Sequence, residues 1–168
     1  MVKKKLLVLL AAIMVLSLVS IPALAGPPED AGGVWCYLPR SDEFMEYKVA
    51  GGNTFFVFGE DAQWTGTFTG ESYDYGSGVI HSSGSWLFKG IVSFASVTVD
   101  DETGGLEIRV NGSRPDAVSD WVGKWVITGG ELHQAGLRGQ GTFEGPGWQG
   151  TDVCGEIPYE GNIHFESD

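Results

Sequence analysis

The sequence predicts an all-β fold, a single antiparallel barrel of about eight strands that is closed or nearly closed. Two features of its composition support this prediction. The chain has 26 glycines among 168 residues, and each glycine inside a helix destabilises it by about 1 kcal/mol, so long helices are disfavoured. The segments between the glycines are rich in valine, isoleucine, phenylalanine, tryptophan and threonine, which pack well on a pleated surface.

Alternation of apolar and polar residues predicts the individual strands. In Gly105–Gly112, the side chains of Leu106, Ile108 and Val110 face one way and the polar residues between them face the other. In Trp121–Ile127, every second residue is again apolar or glycine. Similar patterns predict strands at Phe44–Val49, Thr54–Phe58, Gln63–Thr69, Val79–His81, Ser85–Lys89, Ile91–Val99, Leu137–Phe143 and Ile157–Phe165.

Glycine-rich turns separate these strands and favour antiparallel hairpins. The segments 50–53 (AGGN) and 100–105 (DDETGG) are typical of hairpin connections. Strands of this kind form either a β-sandwich or a closed barrel. Glycines inside the strand patterns, at Gly66, Gly123 and Gly139, favour the barrel because a strongly curved sheet needs bulges or close backbone approach. The sandwich is the alternative.

The N-terminal segment predicts export. Residues 1–25 combine three lysines, an apolar run and a small-residue ending, Ala23-Leu24-Ala25, which is the pattern of a cleaved signal peptide. A retained membrane anchor is the alternative, since the apolar run is nearly long enough to span a bilayer. We therefore expect a signal peptide at 1–25, a flexible leader at 26–33 and one β-domain at 34–168, located in the periplasm or outside the cell.

The net charge excludes some classes of partner, and the cysteine content predicts a disulfide. Cleavage would remove three of the ten basic residues and none of the 22 acidic ones, leaving a net charge of −15. Such a charge argues against nucleic acid and anionic membranes as partners. Cys36 and Cys154 are the two cysteines, and in an oxidising compartment they predict one disulfide. Two reduced thiols are the alternative.

One stretch resembles a known family. The strand Trp121–Ile127 leads into Thr128-Gly129-Gly130-Glu131-Leu132 and then into Ala135–Phe143 (AGLRGQGTF). This resembles the late strands of small calycin-like proteins related to the allene oxide cyclase barrel, although His133-Gln134 interrupts the usual pattern. The resemblance implies an antiparallel eight-stranded barrel whose interior can hold an apolar molecule. No catalytic residue of that family is carried over to this chain.

The aromatic residues are the candidates for a binding site. A large tryptophan content is usual for a core, but an eight-stranded barrel can also hold one small ligand. We expect Trp64, Trp86, Trp121 and Trp125 to border such a cavity and Arg109 to be its polar anchor or to be solvated. Nothing in the sequence has the spacing of a metal or cofactor site.

Three functions stay open on this basis. The first is non-catalytic binding of a small apolar or amphipathic molecule, which the sequence favours. The second is a structural or protein-interaction module with a filled core, which leaves homo-oligomerisation open. The third is a cyclase-like or isomerase-like enzyme, which would require an inward-facing carboxyl or tyrosine.

Overall fold

The computed structural model describes residues 26–38, 46–146 and 155–166. Within these ranges almost every residue belongs to a β-strand. The strands are β1 (Glu29–Leu38), β2 (Glu46–Ala50), β3 (Asn53–Gly66), β4 (Thr69–Ile80), β5 (Trp86–Val99), β6 (Glu102–Arg114), β7 (Trp121–Gly130), β8 (Leu137–Gly145) and β9 (Gly155–Phe165), with a 3-10 turn at Leu132–Gln134.

Eight of the strands close into an antiparallel barrel. The order around the sheet is β1-β9-β8-β7-β6-β5-β4-β3, and β1 pairs with β3 to close the ring. The prediction of an eight-stranded barrel is therefore confirmed, and the sandwich alternative is wrong. Closure leaves no free edge among these eight strands.

The ninth strand, β2, lies outside the ring. The first part of β3, from Asn53 to Val57, pairs with β2, whereas its later part, from Asp61 to Gly66, pairs with β1. One edge of a single long strand thus carries both neighbours in succession. At one end of the barrel, the strands β3, β4 and β5 therefore extend beyond the closed ring. We call this end the upper end.

Two hairpin turns lie within the predicted segments, but the second is shorter than predicted, because β6 begins at Glu102. Gly51 and Gly52 connect β2 to β3 with φ angles of 60° and 79°, a left-handed backbone that glycine adopts without steric cost. Asp100 and Asp101 connect β5 to β6 with φ angles of 50° and 65°. Acidic residues tolerate this conformation better than most other non-glycine residues.

The structure corrects two expectations about the chain's course. The leader predicted as flexible at 26–33 is strand from Glu29 onward, because its backbone pairs with Ile163–Tyr159 of β9 and Ala31 is buried. The segment Gly70–Gly78, which the pattern left between predicted strands, is the body of β4. The composition of both segments is typical of loops. They form strands because their backbone groups find hydrogen-bond partners in the neighbouring strands.

Aromatic side chains fill the middle of the barrel. Trp35 and Trp64 stack with ring centroids 5.3 Å apart, and Trp64 is 1% exposed. A Cβ at Gly141 or at Gly161 would lie 2.6 Å from the ring of Trp125, so bare backbone is needed there. The middle of the lumen is therefore a packed core.

The lower end is closed by the turn between β3 and β4. Phe68, in this turn, is fully buried. Its backbone N–H donates to Tyr159 Oη at 3.0 Å, and Tyr159 Oη donates to the carbonyl of Thr65 at 3.1 Å. Burial raises the pKa of Tyr159 to about 12, and the backbone N–H of Phe68 opposes the shift. Gln134 of the 3-10 turn is also fully buried and donates to the carbonyl of Glu102 at 2.9 Å.

Some predictions lie outside the described residues. These are the signal segment 1–25 and Cys154, so export and the disulfide stay predictions. In the part of the chain that is described, no helix is long and apolar enough to cross a membrane.

Candidate functional site

Five polar side chains face inward near the upper end of the barrel, in walls that are otherwise aromatic. We call them the upper cluster: Tyr37 on β1, Glu60 on β3, Ser72 and Asp74 on β4, and Arg114 at the end of β6. Their inward orientation follows from register. Glu60 lies opposite Asp74, and Asp74 lies opposite the buried Val92. Side chains that lie opposite each other in adjacent strands share one face of the sheet.

Asp74 is the deepest acid of the upper cluster. It is 2% exposed. Ser72 Oγ donates to its Oδ1 at 2.6 Å, and Trp64 Nε1 donates to Ser72 Oγ at 3.1 Å. Burial raises the pKa of Asp74 to about 7, and the hydrogen bond from Ser72 and the nearby Trp35 indole oppose the shift. The carboxyl therefore changes its protonation state close to neutral pH.

Glu60 is half-buried beside Asp74. Burial is the main cause that raises the pKa of Glu60 to about 8, and the charge of Asp74 adds to it. Tyr37 lies on the other side of Glu60, and its pKa is also raised, first by burial and then by the charge of Glu60. Two carboxyls in one low-dielectric site cannot both ionise without cost. At neutral pH the pair therefore holds at least part of a proton that solvent-exposed carboxyls would lose.

Arg114 supplies the positive charge of the upper cluster. Its guanidinium lies over the rings of Trp86 and Trp121, 4.2 and 4.6 Å from their centroids. It donates to the carbonyl of Ala117 at 3.0 Å. Burial lowers the pKa of Arg114, and the charge of Tyr37 opposes the change. No carboxylate of the described residues lies within 4 Å of this guanidinium.

Unpaired polar atoms concentrate in this region. Among the described residues, four buried side-chain atoms lack a hydrogen bond, and three of them are Trp35 Nε1, Asp74 Oδ2 and Arg114 Nε. The indole of Trp35 is near enough to Asp74 to lower its pKa, yet the two atoms do not meet in hydrogen-bonding geometry. Buried polar atoms without partners cost about 1 to 3 kcal/mol each. Each such atom needs an explanation, which includes strain, a bound water or ion, or a polar group of a ligand.

The predicted site residues separate into three groups. Trp64 and Trp125 belong to the packed core, so they do not border a cavity. Trp86 and Trp121 are half-buried at the upper end, with centroids 6.2 Å apart. Arg109 is exposed on the outer wall between the inward residues Ile108 and Val110, so it is not a lumen anchor. Among the arginines of the described ranges, Arg114 faces inward.

Sequence reasoning missed both acids for an identifiable reason. Glu60 lies between two predicted strands, and Asp74 lies in the segment that was not predicted as strand. The alternation of Phe56, Phe58, Glu60, Ala62 and Trp64 runs through β3 with period two. Extending the two predicted strands into one would have placed Glu60 on the inner face.

A shallow surface depression lies elsewhere, on the outside of β7, β8 and β9. It is bordered by Lys124, Gln140, Glu160 and Asn162. It has no contact with the upper cluster, because the packed Trp125 separates the two. The described ranges contain no group of three or more acidic, histidine or cysteine side chains that could hold a metal ion.

The comparisons with known proteins give no further guide to the site. No protein-family model matches the chain. No curated protein matches it either.

Proposed function

We propose that the chain is an exported protein that binds a small amphipathic molecule at the upper end of its barrel, without converting it. The upper cluster carries this proposal, with its unpaired atoms Asp74 Oδ2 and Arg114 Nε and with the unpaired Trp35 Nε1 near Asp74. A ligand with a polar head and an apolar body would meet both parts of the site. Sites of this kind place a few polar groups among apolar and aromatic walls.

Arg114 is the anchor for the polar head. Its guanidinium lies in the corner between two nearly perpendicular indoles, which orient its edge before any ligand arrives. Such an edge recognises a carboxylate or another anion in two-point geometry. Tyr37 and the protonated carboxyls can add hydrogen bonds to the same head group.

The aromatic walls would hold the apolar body. Phe56 lies 5.9 Å from Trp86 between centroids, and Phe88 lies 4.9 Å from Trp121 in an edge-to-face arrangement. Deeper in the barrel the interior is occupied by its own side chains. The proposed ligand is therefore small and stays at the upper end.

Native mass spectrometry of the protein purified after expression of the complete sequence tests the proposal. An extra mass that disappears on denaturation supports binding and gives the ligand class. A mass equal to the polypeptide alone, together with negative probe titrations, would leave a module with a filled core as the better description.

A fluorescence titration with anilinonaphthalene sulfonate, an anionic amphipathic probe, isolates the anchor. We expect Arg114→Met to weaken probe binding about 10- to 100-fold, since a hydrogen bond to a charged group contributes about 1.5 to 3 kcal/mol. Arg109→Met is the matched control because Arg109 is on the outer wall, and it should leave binding unchanged. Equal losses in the two variants, or no loss in Arg114→Met when its fold is intact by circular dichroism, would contradict the proposal.

A second candidate, an isomerase-like or cyclase-like activity, is favoured by one observation. The pKa values of Glu60 and Asp74 are raised to about 8 and about 7, which suits a general acid at neutral pH. Chromatography of the molecule released from wild type and from Glu60→Gln distinguishes the two functions. A different isomer in the variant supports catalysis, whereas the same molecule in both supports binding alone.

A further inference from the structure

The shallow depression on the outside of β7, β8 and β9 carries charges of both signs. It has a volume of about 1000 Å³, and Lys124 on β7 and Glu160 on β9 both line it. The two residues belong to one row across the sheet, because Lys124 is opposite Thr142 and Thr142 is opposite Glu160. Side chains in such a row share one face of the sheet, which here is the outer face.

The two charges of this row do not neutralise each other. Neither Lys124 nor Glu160 forms an ion pair with another described residue. Neighbouring strands are about 4.8 Å apart, so the backbones of the two residues are separated by about 10 Å. The depression therefore has a positive end at β7 and a negative end at β9.

A second acid adds to the negative end of the depression. Asp30 on β1 also lines it, and Asn162 Nδ2 donates to Asp30 Oδ1 at 3.2 Å. Glu160 lies two residues before Asn162 on β9, so the two carboxylates border the same part of the depression. An ammonium group has three N–H donors, and it can donate to both carboxylates at once.

Neutral hydrogen-bonding side chains line the rest of the depression. Gln140 lies beside Asn162 in the row next to that of Glu160, and Asn111 lies beside Lys124 at the positive end. Amide side chains both donate and accept hydrogen bonds, as the peptide groups of a polypeptide do. This lining favours a polar ligand over the amphipathic one that we propose for the upper cluster.

We propose that the depression binds a short zwitterionic peptide with free termini, of about three residues. Lys124 and Asn111 bind its carboxylate, and Glu160 and Asp30 bind its ammonium group. Three extended residues span about 10 Å, which matches the separation of the two charged ends. The neutral side chains between the ends hydrogen-bond with the peptide groups. The upper cluster takes no part in this site, so neither proposal depends on the other.

An NMR titration of isotope-labelled protein, expressed from the complete sequence, tests the proposal with trialanine as the probe. Exposed ion pairs are weak, so we expect a dissociation constant of about 1 to 10 mM. The backbone amide signals of Lys124, Thr142 and Glu160 should shift on titration, and those of the upper cluster should not. Acetylation of the N-terminus of the peptide, or amidation of its C-terminus, should weaken binding about fivefold.

Variants of the two ends show which terminus each end recognises. In Asp30→Asn/Glu160→Gln both carboxylates are neutral amides, so free and N-acetylated trialanine should bind with equal affinity. In Lys124→Met the positive end has lost its charge, so free trialanine and its C-terminal amide should bind with equal affinity.

Control variants and adverse outcomes complete the test. Lys89→Met and Glu144→Gln/Glu156→Gln change exposed residues that do not line the depression, and they should bind trialanine as wild type does. No shift of the depression signals at about 20 mM trialanine would overturn the proposal. It would also be overturned if acetylation still weakened binding to Asp30→Asn/Glu160→Gln, or if maltotriose bound more tightly than trialanine, which indicates a saccharide site.

Discussion

Replacing Glu60 by glutamine should stabilise the protein at neutral pH and leave its stability at pH 4 unchanged. Glu60 faces inward beside Asp74, in a site where burial disfavours the charged form. Glutamine has nearly the same shape and is always neutral. The substitution therefore removes an ionisation that the folded state opposes, while it keeps the packing of the side chain.

The magnitude follows from the change in pKa. The ordinary value for this carboxyl is 4.5, and its value in the folded protein is about 8. A group with a raised pKa in the folded state is protonated in both states below pH 4.5, so it has no effect there. Above that pH the unfolded chain loses the proton first, and the folded state is destabilised by about 1.4 kcal/mol per pH unit up to pH 8. Partial solvent exposure lowers the effect, and we expect about 2 to 3 kcal/mol at pH 7.

Urea denaturation followed by tryptophan fluorescence measures this difference. Trp35, Trp64 and Trp125 are buried in the core, so their emission reports unfolding. Titrations between pH 4 and pH 8.5 give the free energy of unfolding of wild type and variant at each pH. Glu144→Gln is the matched control, because it removes the same charge from an exposed position on the outer wall.

The pH profile decides the outcome. The gain in Glu60→Gln should be near zero at pH 4 and should grow toward pH 8, and Glu144→Gln should show a smaller and flatter change. A gain that is the same at pH 4 and pH 8 would mean that Glu60 does not titrate in the raised range. A variant less stable than wild type at pH 8 would refute the inward placement of the acid.

Two further predictions follow from single contacts. Tyr159→Phe removes a hydroxyl that forms hydrogen bonds with two main-chain groups of the lower turn. We expect urea denaturation to show a loss of about 1 to 3 kcal/mol in the free energy of unfolding. A loss smaller than the experimental error would show that the hydroxyl does not stabilise this turn. The register places Gly155 opposite Tyr37, and these two residues are bonded to Cys154 and Cys36. We therefore expect the oxidised protein to lose about 4 to 5 kcal/mol of stability on reduction, whereas two thiols that react with iodoacetamide before any reductant is added would disprove the disulfide.

The two inward acids show why the candidate site could not be predicted in full. Glu60 lies between two segments that were predicted as separate strands, and its own residue type favours a solvated surface. It was therefore missed, although the alternation of β3 continues through it. Asp74 lies in a stretch of glycine, serine and tyrosine that reads as a loop until β3 and β5 pair with both of its edges. Of the two alternatives left open for Arg109, lumen anchor or solvated residue, the exposed position on the outer wall matches the second. Arg109 and Arg114 are five residues apart on one strand, so they face opposite sides, but the predicted strand ended at Gly112 and left Arg114 out.

The sequence predicts those features that depend on local patterns of residues. The all-β class and the turn at Gly51–Gly52 depend on neighbours in sequence or on one face of a strand, so alternation and glycine content predict them. Only the three-dimensional structure shows that β2 lies outside the ring, that residues 29–33 join β9 and that Asp74 belongs to a strand. These features depend on pairing between segments that are distant in sequence. The hydrogen bonds of such pairing join backbone groups, which are nearly the same for every residue type.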